Sequence, residues 1–190
     1  MTTRQVQIAV IGGCSVGKTA LVVQLISALF EEEYVPTADE DRVAMLDYGE
    51  TSIKLVIHDT SGSEKFAEAR EEKYTTAEGF LAVYSIERRR SFNELRMFLE
   101  KLQQVRGIRS IPLVVVGNKV DLQNVREVER SEGEELAKTL GCPFVELTAR
   151  ERDSVVGAFK QLIREMDKTA VVRKENMKLK LTHCTLCALL

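Results

Sequence analysis

A chain of 190 residues, 44% of them hydrophobic, is long enough to bury one full core and is read as one folded domain. Its net charge of −2 excludes a bulk electrostatic attraction to nucleic acid. The four cysteines, Cys14, Cys142, Cys184 and Cys187, have neither metal-ligand spacing nor a disulfide framework, which suits a reducing cytosol. No N-terminal signal peptide is visible, and no apolar run reaches membrane-spanning length.

Along the chain, strands alternate with helices, the pattern of an α/β fold whose mostly parallel sheet is covered on both faces. Strands are predicted at 5–11, 42–48, 51–58, 79–86, 112–117 and 143–147, and helices at 17–28, 65–75, 91–106, 129–140 and 153–168. Asp47-Tyr48-Gly49-Glu50 is a short polar turn, so the strands on either side of it form an antiparallel hairpin. Residues 1–170 are assigned to the folded domain. Residues 171–190, with no strong helical stripe, are expected to form a mobile tail.

The first strand carries Val6, Ile8, Val10 and Ile11. It runs into Gly12-Gly13-Cys14-Ser15-Val16-Gly17-Lys18-Thr19, which fits Gly-x-x-x-x-Gly-Lys-Ser/Thr, a phosphate-binding loop. A helix beginning Ala20-Leu21-Val22 follows. A loop from strand end to helix start gathers backbone N–H groups at one point, and the helix dipole adds positive potential there. Gly12 and Gly17 are the positions expected to take positive φ. Lys18 supplies a point charge for the β- and γ-phosphates, and Thr19 a hydroxyl for Mg²⁺.

Glu31-Glu32-Glu33 reads as a solvated loop. Asp59-Thr60-Ser61-Gly62 ends the third strand. There a carboxylate can hold Mg²⁺, often through a water, and the Gly62 N–H can face a γ-phosphate. Arg88-Arg89-Arg90 opens a helix and reads as a solvated face, with contact to acidic lipid or a partner as the alternative. Asn118-Lys119-Val120-Asp121 ends the fifth strand. The Asp121 carboxylate can accept from both N1–H and N2–H₂ of guanine, a pair of donors that adenine lacks, which disfavours a P-loop ATPase or kinase. The Lys119 stem can lie over the base.

With these three motifs in this order, the chain resembles the Ras family of small GTPases from residue 4 to 190. The resemblance implies a P-loop NTPase fold, with a six-stranded sheet, one antiparallel edge strand and about five helices. It also implies binding of GTP or GDP with Mg²⁺, and hydrolysis of GTP. Phe30 matches the aromatic that packs on the guanine edge. Tyr34-Val35-Pro36-Thr37 matches the first switch, whose threonine reaches Mg²⁺ and the γ-phosphate. Thr148-Ala149-Arg150 matches the family's Ser-Ala-Lys, with the Ala149 N–H on the guanine carbonyl and the Arg150 stem over the base. The implied nucleotide site thus comprises residues 12–20, Phe30, Thr37, Asp59, Gly62, Asn118, Lys119, Asp121 and residues 148–150, Ala20 included. Its metal ligands would be Thr19, Thr37 and Asp59, and its catalytic set Lys18, Thr37, Gly62 and Ser63. The two switch loops, Glu31 to Asp41 and Asp59 to Lys73, would face an exchange factor, an activating protein and effectors. The chain is expected to be a monomer.

Three departures from the family pattern surround the γ-phosphate. Ser63 stands where the family has the glutamine that orients the attacking water, Cys14 where most members have glycine, and Ser61 where a glycine is usual. Serine is too short to place the water as glutamine does. A side chain at Cys14 crowds the space for a partner's arginine finger, worth about 10³–10⁵ in rate. A slow hydrolase is therefore expected, with a constitutively GTP-loaded docking module as the alternative. The effector-facing Ala38-Asp39-Glu40-Asp41-Arg42-Val43 differs in order from Ras, and His58 and Lys73 replace residues that are more often apolar or aromatic. His58 reads as a packed or half-exposed strand residue and not as a catalyst.

Cys187-Ala188-Leu189-Leu190 fits C-a-a-X, and the final leucine favours geranylgeranyl. One lipid holds a membrane only marginally. Cys184 is a candidate for a second, and Arg173, Lys174, Lys178 and Lys180, offset by Glu175, would attract an anionic leaflet. The expected location is the cytoplasmic face of the plasma membrane or an endomembrane.

Overall fold

The computed structural model describes residues 4–27, 40–107 and 111–187, with backbone alone for residues 40, 64 and 173–187. Six strands form one sheet: β1 (Arg4–Ile11), β2 (Glu40–Tyr48), β3 (Thr51–Asp59), β4 (Gly79–Ser85), β5 (Leu113–Asn118) and β6 (Phe144–Glu146). Their order is β2-β3-β1-β4-β5-β6; β2 pairs antiparallel with β3, and every other pairing is parallel. The hairpin closes with Tyr48 opposite Thr51, and Gly49 has φ 61°. Among the described residues the α-helices are α1 (Lys18–Ser27), α2 (Ala67–Thr76), α3 (Arg89–Arg106), α4 (Arg130–Leu140) and α5 (Arg152–Cys187).

The parallel strands are buried on both faces, and alternate side chains enter two cores. Val6, Ile8 and Val10 of β1 join Leu81 and Val83 of β4 under α1 and α5, against Leu21, Leu25, Phe159 and Leu162. Ala9 and Ile11 join Phe80, Ala82 and Tyr84 under α2, α3 and α4, against Tyr74, Phe92, Leu95 and Leu99. α3 is amphipathic because Phe92, Leu95, Leu99 and Leu102 recur at helical spacing and are buried. α4 starts with a capping box, Glu129 and Glu132, and stops at Gly141 in the left-handed region.

The strand boundaries agree with the sequence expectation to within two residues. Three elements differ. A 3₁₀ turn, Glu64–Phe66, precedes α2, and a second, Val120–Val125, follows β5. α5 does not end near 168 but continues to Cys187, so the expected division at 170 falls inside a helix. Residues 158–187 contain neither glycine nor proline, so nothing in the sequence stops the helix.

The topology fixes the place of the site. β1 lies beside β3, and the chain leaves the C-terminal ends of these two neighbours into α1 and α2, which cover opposite faces of the sheet. In open α/β sheets a ligand crevice forms at such a switch point, outside the carboxyl ends of the strands. Residues 12–17 and the ends of β3 and β5 all lie there.

Candidate functional site

Ile8 to Ile11 are wholly buried and deliver a rigid strand end to the loop that follows. In that loop Gly12 has φ 145° and Gly17 φ 92°, as the motif predicts. Gly12 is doubly constrained, since a Cβ there would lie 2.1 Å from the Val83 carbonyl oxygen on β4. Ser15 also has positive φ, 58°, which the sequence did not signal. Lys18 is buried, and its Nζ donates to the Gly12 and Gly13 carbonyls at 3.0 and 2.7 Å. Two further carbonyls of the loop are held from outside it. Asn118 Nδ2 donates to Val16 O at 2.8 Å, and Arg88 Nη1 to Cys14 O at 3.3 Å. In a trans peptide the carbonyl and the next N–H point oppositely. The Gly17 and Ser15 N–H groups are therefore turned away from those partners, toward the concave side of the loop.

Asp59 pairs with Val10 across the β1–β3 ladder and is wholly buried at the root of the loop. Thr60 Oγ1 donates to Val10 O at 2.7 Å and closes the same corner. Thr19 stands in the first turn of α1. A threonine hydroxyl and a carboxylate are hard oxygen donors of the kind Mg²⁺ takes, so the residues present fit that ion. The third candidate ligand, Thr37, lies outside the described residues, as do Phe30 and most of the first switch.

The segment after Asp59 folds back on the loop. A Cβ on Gly62 would lie 2.4 Å from Cys14 N and 2.7 Å from Gly13 O, so glycine alone fits there. The Ser63 hydroxyl accepts from the Lys65 N–H at 3.4 Å, and the Ser63 carbonyl accepts from the Phe66 N–H at 3.1 Å. Ser63 thus closes its own 3₁₀ turn. Arg70 of α2 is buried, donates Nη1 to Ser61 O at 2.7 Å and Ser63 O at 3.2 Å, and stacks 4.6 Å from the Phe98 ring. Cys14 is exposed. It borders a cavity of about 1120 Å³ between α2 and α3, together with Gly62, Ser63, Arg70 and Phe98.

At the other end, Asn118 is buried and Lys119 takes the left-handed region, φ 69°. Lys119 Nζ pairs with Glu87 Oε1 at 2.7 Å. Asp121 opens the second 3₁₀ turn, and Arg150 Nε lies 3.3 Å from Asp121 Oδ2. The sequence places the Arg150 stem over the base; here its guanidinium pairs with the carboxylate meant to read that base. Ala149 is buried, and the Thr148 hydroxyl accepts from the Arg150 N–H at 3.3 Å. Gln24 of α1 donates to Arg150 O at 3.2 Å, tying this loop to the helix that follows the phosphate loop. Ala20 lies in the first turn of that helix.

Other expectations need correction or gain a reason. Arg90 is solvated as expected, with its side chain 85% exposed, while Arg88 and Arg89 are half-buried and engaged in contacts within the chain. Arg89 makes a forked pair with Glu132, at 2.5 and 2.7 Å, and Arg90 pairs with Glu94. His58, expected to be packed or half-exposed, is buried, with Nδ1 2.6 Å from Asp41 Oδ1 and Nε2 3.3 Å from Gln7 Oε1. Lys73 Nζ reaches the same Asp41 oxygen at 3.3 Å. Thus His58 and Lys73, both unusual for the pattern, meet on one carboxylate that joins β2, β3 and α2. Burial works against the charge on Asp41, but the hydrogen bonds from His58 and Lys73 outweigh it and hold its pKa below the ordinary value. The sequence held no sign of the roles of Glu87, Gln24 and Arg70, and it marked Arg88 only as part of a basic run. Glu87, Arg88 and Gln24 meet partners 32 to 126 positions away, and Arg70 reaches back seven and nine residues to Ser63 and Ser61. Cys184 and Cys187 fall in the backbone-only part of α5, and Ala188, Leu189 and Leu190 lie outside the described residues.

Comparison with known proteins agrees with this geometry. The Ras family profile matches residues 7–168. The chain is 42% identical over 163 residues to Ras-like protein 1 of Saccharomyces cerevisiae, covering 86% of this chain and 53% of that protein. It is 40% identical over 172 residues to a Ras-like protein of Laccaria bicolor, covering 86% of this chain and 78% of that protein. The chain therefore spans about half the length of the yeast relative. It belongs to the Ras family.

Proposed function

We propose that this member of the Ras family is a guanine-nucleotide switch that binds GTP and GDP with Mg²⁺ and hydrolyses GTP slowly. The observation that carries the reading is the Asn118–Val16 hydrogen bond. It joins a base-reading motif to a phosphate loop, so both ends of one nucleotide are addressed by a single rigid unit. In this reading Lys18 and the inward N–H groups of residues 15 and 17 bind phosphate, and Asp121 selects guanine once Arg150 swings aside. Thr19 and Asp59, with Thr37, would hold Mg²⁺, which when bound offsets negative charge on the β- and γ-phosphates. The test is competitive binding of GTP, ATP and XTP. Equal affinity for ATP and GTP sinks the assignment.

Slow turnover is supported by Ser63, whose hydroxyl is already engaged with the Lys65 N–H and lacks the reach of a glutamine amide. The same contact favours the second reading, a GTP-loaded docking module with negligible hydrolysis. Single-turnover phosphate release, with and without cell extract, separates the two. Glu31–Asp41 and Asp59–Lys73 are proposed to face the exchange factor, activating protein and effectors.

For location, the proposal is lipid anchoring at Cys187, reinforced by Cys184 and the basic residues 173–180, at the cytoplasmic face of a membrane. No helix among the described residues is long and apolar enough to cross a bilayer. Cys187→Ser should move the protein to the cytosol, and Cys184→Ser should weaken retention only in part. Recovery from cells of a chain still ending in unmodified Ala188-Leu189-Leu190 contradicts the proposal.

A further inference from the structure

Two consecutive residues that belong to no nucleotide motif stand between the two halves of the site. They follow β4, where the Ile86 N–H donates to Asn118 O at 3.1 Å and pins the connection beside the base motif. Glu87 faces one way: its Oε1 accepts from Lys119 Nζ at 2.7 Å and from Ser85 Oγ at 3.0 Å. Arg88 faces the other, donating to Cys14 O at 3.3 Å, while its Nε lies 3.8 Å from Glu87 Oε2. A continuous line of charge and hydrogen bonds runs from Lys119 through Glu87 and Arg88 to the Cys14 carbonyl.

The Glu87–Lys119 part of this line is not an ordinary surface ion pair, whereas the Arg88 side chain is 41% exposed. The Glu87 side chain is 15% exposed and that of Lys119 26%, so water screens their contact only in part. Burial pushes the Glu87 carboxyl up, but Lys119, Ser85 and Arg88 together hold its pKa below the ordinary carboxylate value. Lysine on its four-carbon stem has large rotamer freedom, and a ligand that must immobilise it binds less tightly. Here folding has already removed that freedom. At the other end, Cys14 C=O and Ser15 N–H share one peptide plane. A guanidinium on the carbonyl both holds that plane and polarises it, making the N–H a stronger donor on the opposite side.

We propose that Glu87 and Arg88 form a charged bracket that pre-sets both ends of the nucleotide groove, Glu87 by fixing Lys119 against the base and Arg88 by fixing the Cys14–Ser15 peptide toward the phosphates. The inference rests on the guanine-nucleotide reading of the site. Both are positioning residues, acting through Lys119 and through the loop backbone.

The experiment is the release rate of fluorescently labelled GDP from the full chain in Mg²⁺ buffer. Glu87→Gln should speed release about tenfold, the scale of one charge-assisted hydrogen bond. In a Lys119→Met background the same change should add nothing, because its effect runs through the lysine. A general loss of structure would speed release in both backgrounds. Arg88→Gln should speed release by about threefold, the scale of one neutral-acceptor hydrogen bond, and Arg88→Lys should recover part of it. In the GDP complex the Ser15 amide proton should move upfield in Arg88→Gln. If Glu87→Gln fails to fold, Glu87→Asp tests the same coupling with a carboxylate one methylene shorter. Unchanged release in the Glu87 variants, or equal acceleration with and without Lys119, overturns the bracket alone. A parent chain that binds no guanine nucleotide overturns the reading of the site as well.

Discussion

The two ends of the groove are built differently. At the base end, Asn118 and Ala149 are buried, and contacts from β5, the β4–α3 connection and α1 converge on the motif residues. At the phosphate end, the loop backbone is held by Lys18, Asn118 and Arg88, but the side chains proposed to set hydrolysis lie outside that frame. Cys14 is exposed, and Ser63 belongs to a short turn leading into α2, a helix that buries only Arg70 and Tyr74. Side chains in the frame are coupled to folding, whereas the Cys14 side chain is exposed and the Ser63 hydroxyl serves only its own local turn. Substitution there is expected to change a reaction rate at small cost to stability, which is how the proposed binding and slow turnover would come apart.

The comparison can be broken most sharply at the base end. Asp121→Asn should lower GTP affinity about a thousandfold, the scale of two hydrogen bonds to a charged group. It should also favour xanthine over guanine nucleotides, read by competition among GTP, ATP and XTP. Thr19→Asn comes next. It removes a proposed Mg²⁺ ligand and should cost at least about tenfold in Mg²⁺-dependent retention, since even the partners of metal ligands are worth that much. Nucleotide release that ignores Mg²⁺ removal refutes the assignment.

At the phosphate end, Ser63→Gln should raise single-turnover hydrolysis by about 10- to 100-fold, the scale of correctly positioning one reactant. Cys14→Gly should raise it further if the thiol crowds the new amide. Both sites border the same cavity, so their effects should be coupled and not additive. A double variant no faster than the parent at equal GTP loading places the defect elsewhere, with Ser61 the next residue to test.

The smallest effect concerns the frame that carries both ends. The Arg89 fork holds the Glu132 pKa down to about 2, against an ordinary 4.5. A carboxylate with a lowered folded pKa adds stability above its unfolded pKa and loses it as pH falls through the folded one. Stability should thus fall between about pH 4.5 and 2. The Glu132 side chain is 36% exposed, so the contribution should stay below about 1 kcal/mol. Glu132→Gln, which keeps the capping-box geometry, should flatten this acid limb in urea titrations at pH 7 and pH 3.

Much of the fold was legible because its signals are local. Buried runs such as Val114–Val116 are bounded by turn residues, and each of the three nucleotide motifs is contiguous in sequence. The reach of α5 was misread because its later residues lack an apolar stripe, although they also lack a stop. The 3₁₀ turn at Val120–Val125 has no periodic signature at all. The supports of the site were illegible for another reason. Arg88 meets Cys14 across 74 positions and Gln24 meets Arg150 across 126. Such pairs exist only after the sheet has brought strand ends together. His58 showed the same limit: it was read as packed or half-exposed, but its Asp41–Lys73 partnership depends on β2 and α2 lying beside β3.

The central position of β1 has a consequence for how the molecule opens. Amide hydrogens on β1, flanked on both sides by β3 and β4, should exchange with solvent deuterium only when the whole domain unfolds. Those of α2 can exchange through local opening, because so little of that helix is buried. The phosphate loop hangs from the slowest-exchanging strand, while Ser63 sits at the entrance to a fast-exchanging helix. A protease or a binding protein could therefore pry α2 away from the sheet many times before the loop beneath it lost its shape once.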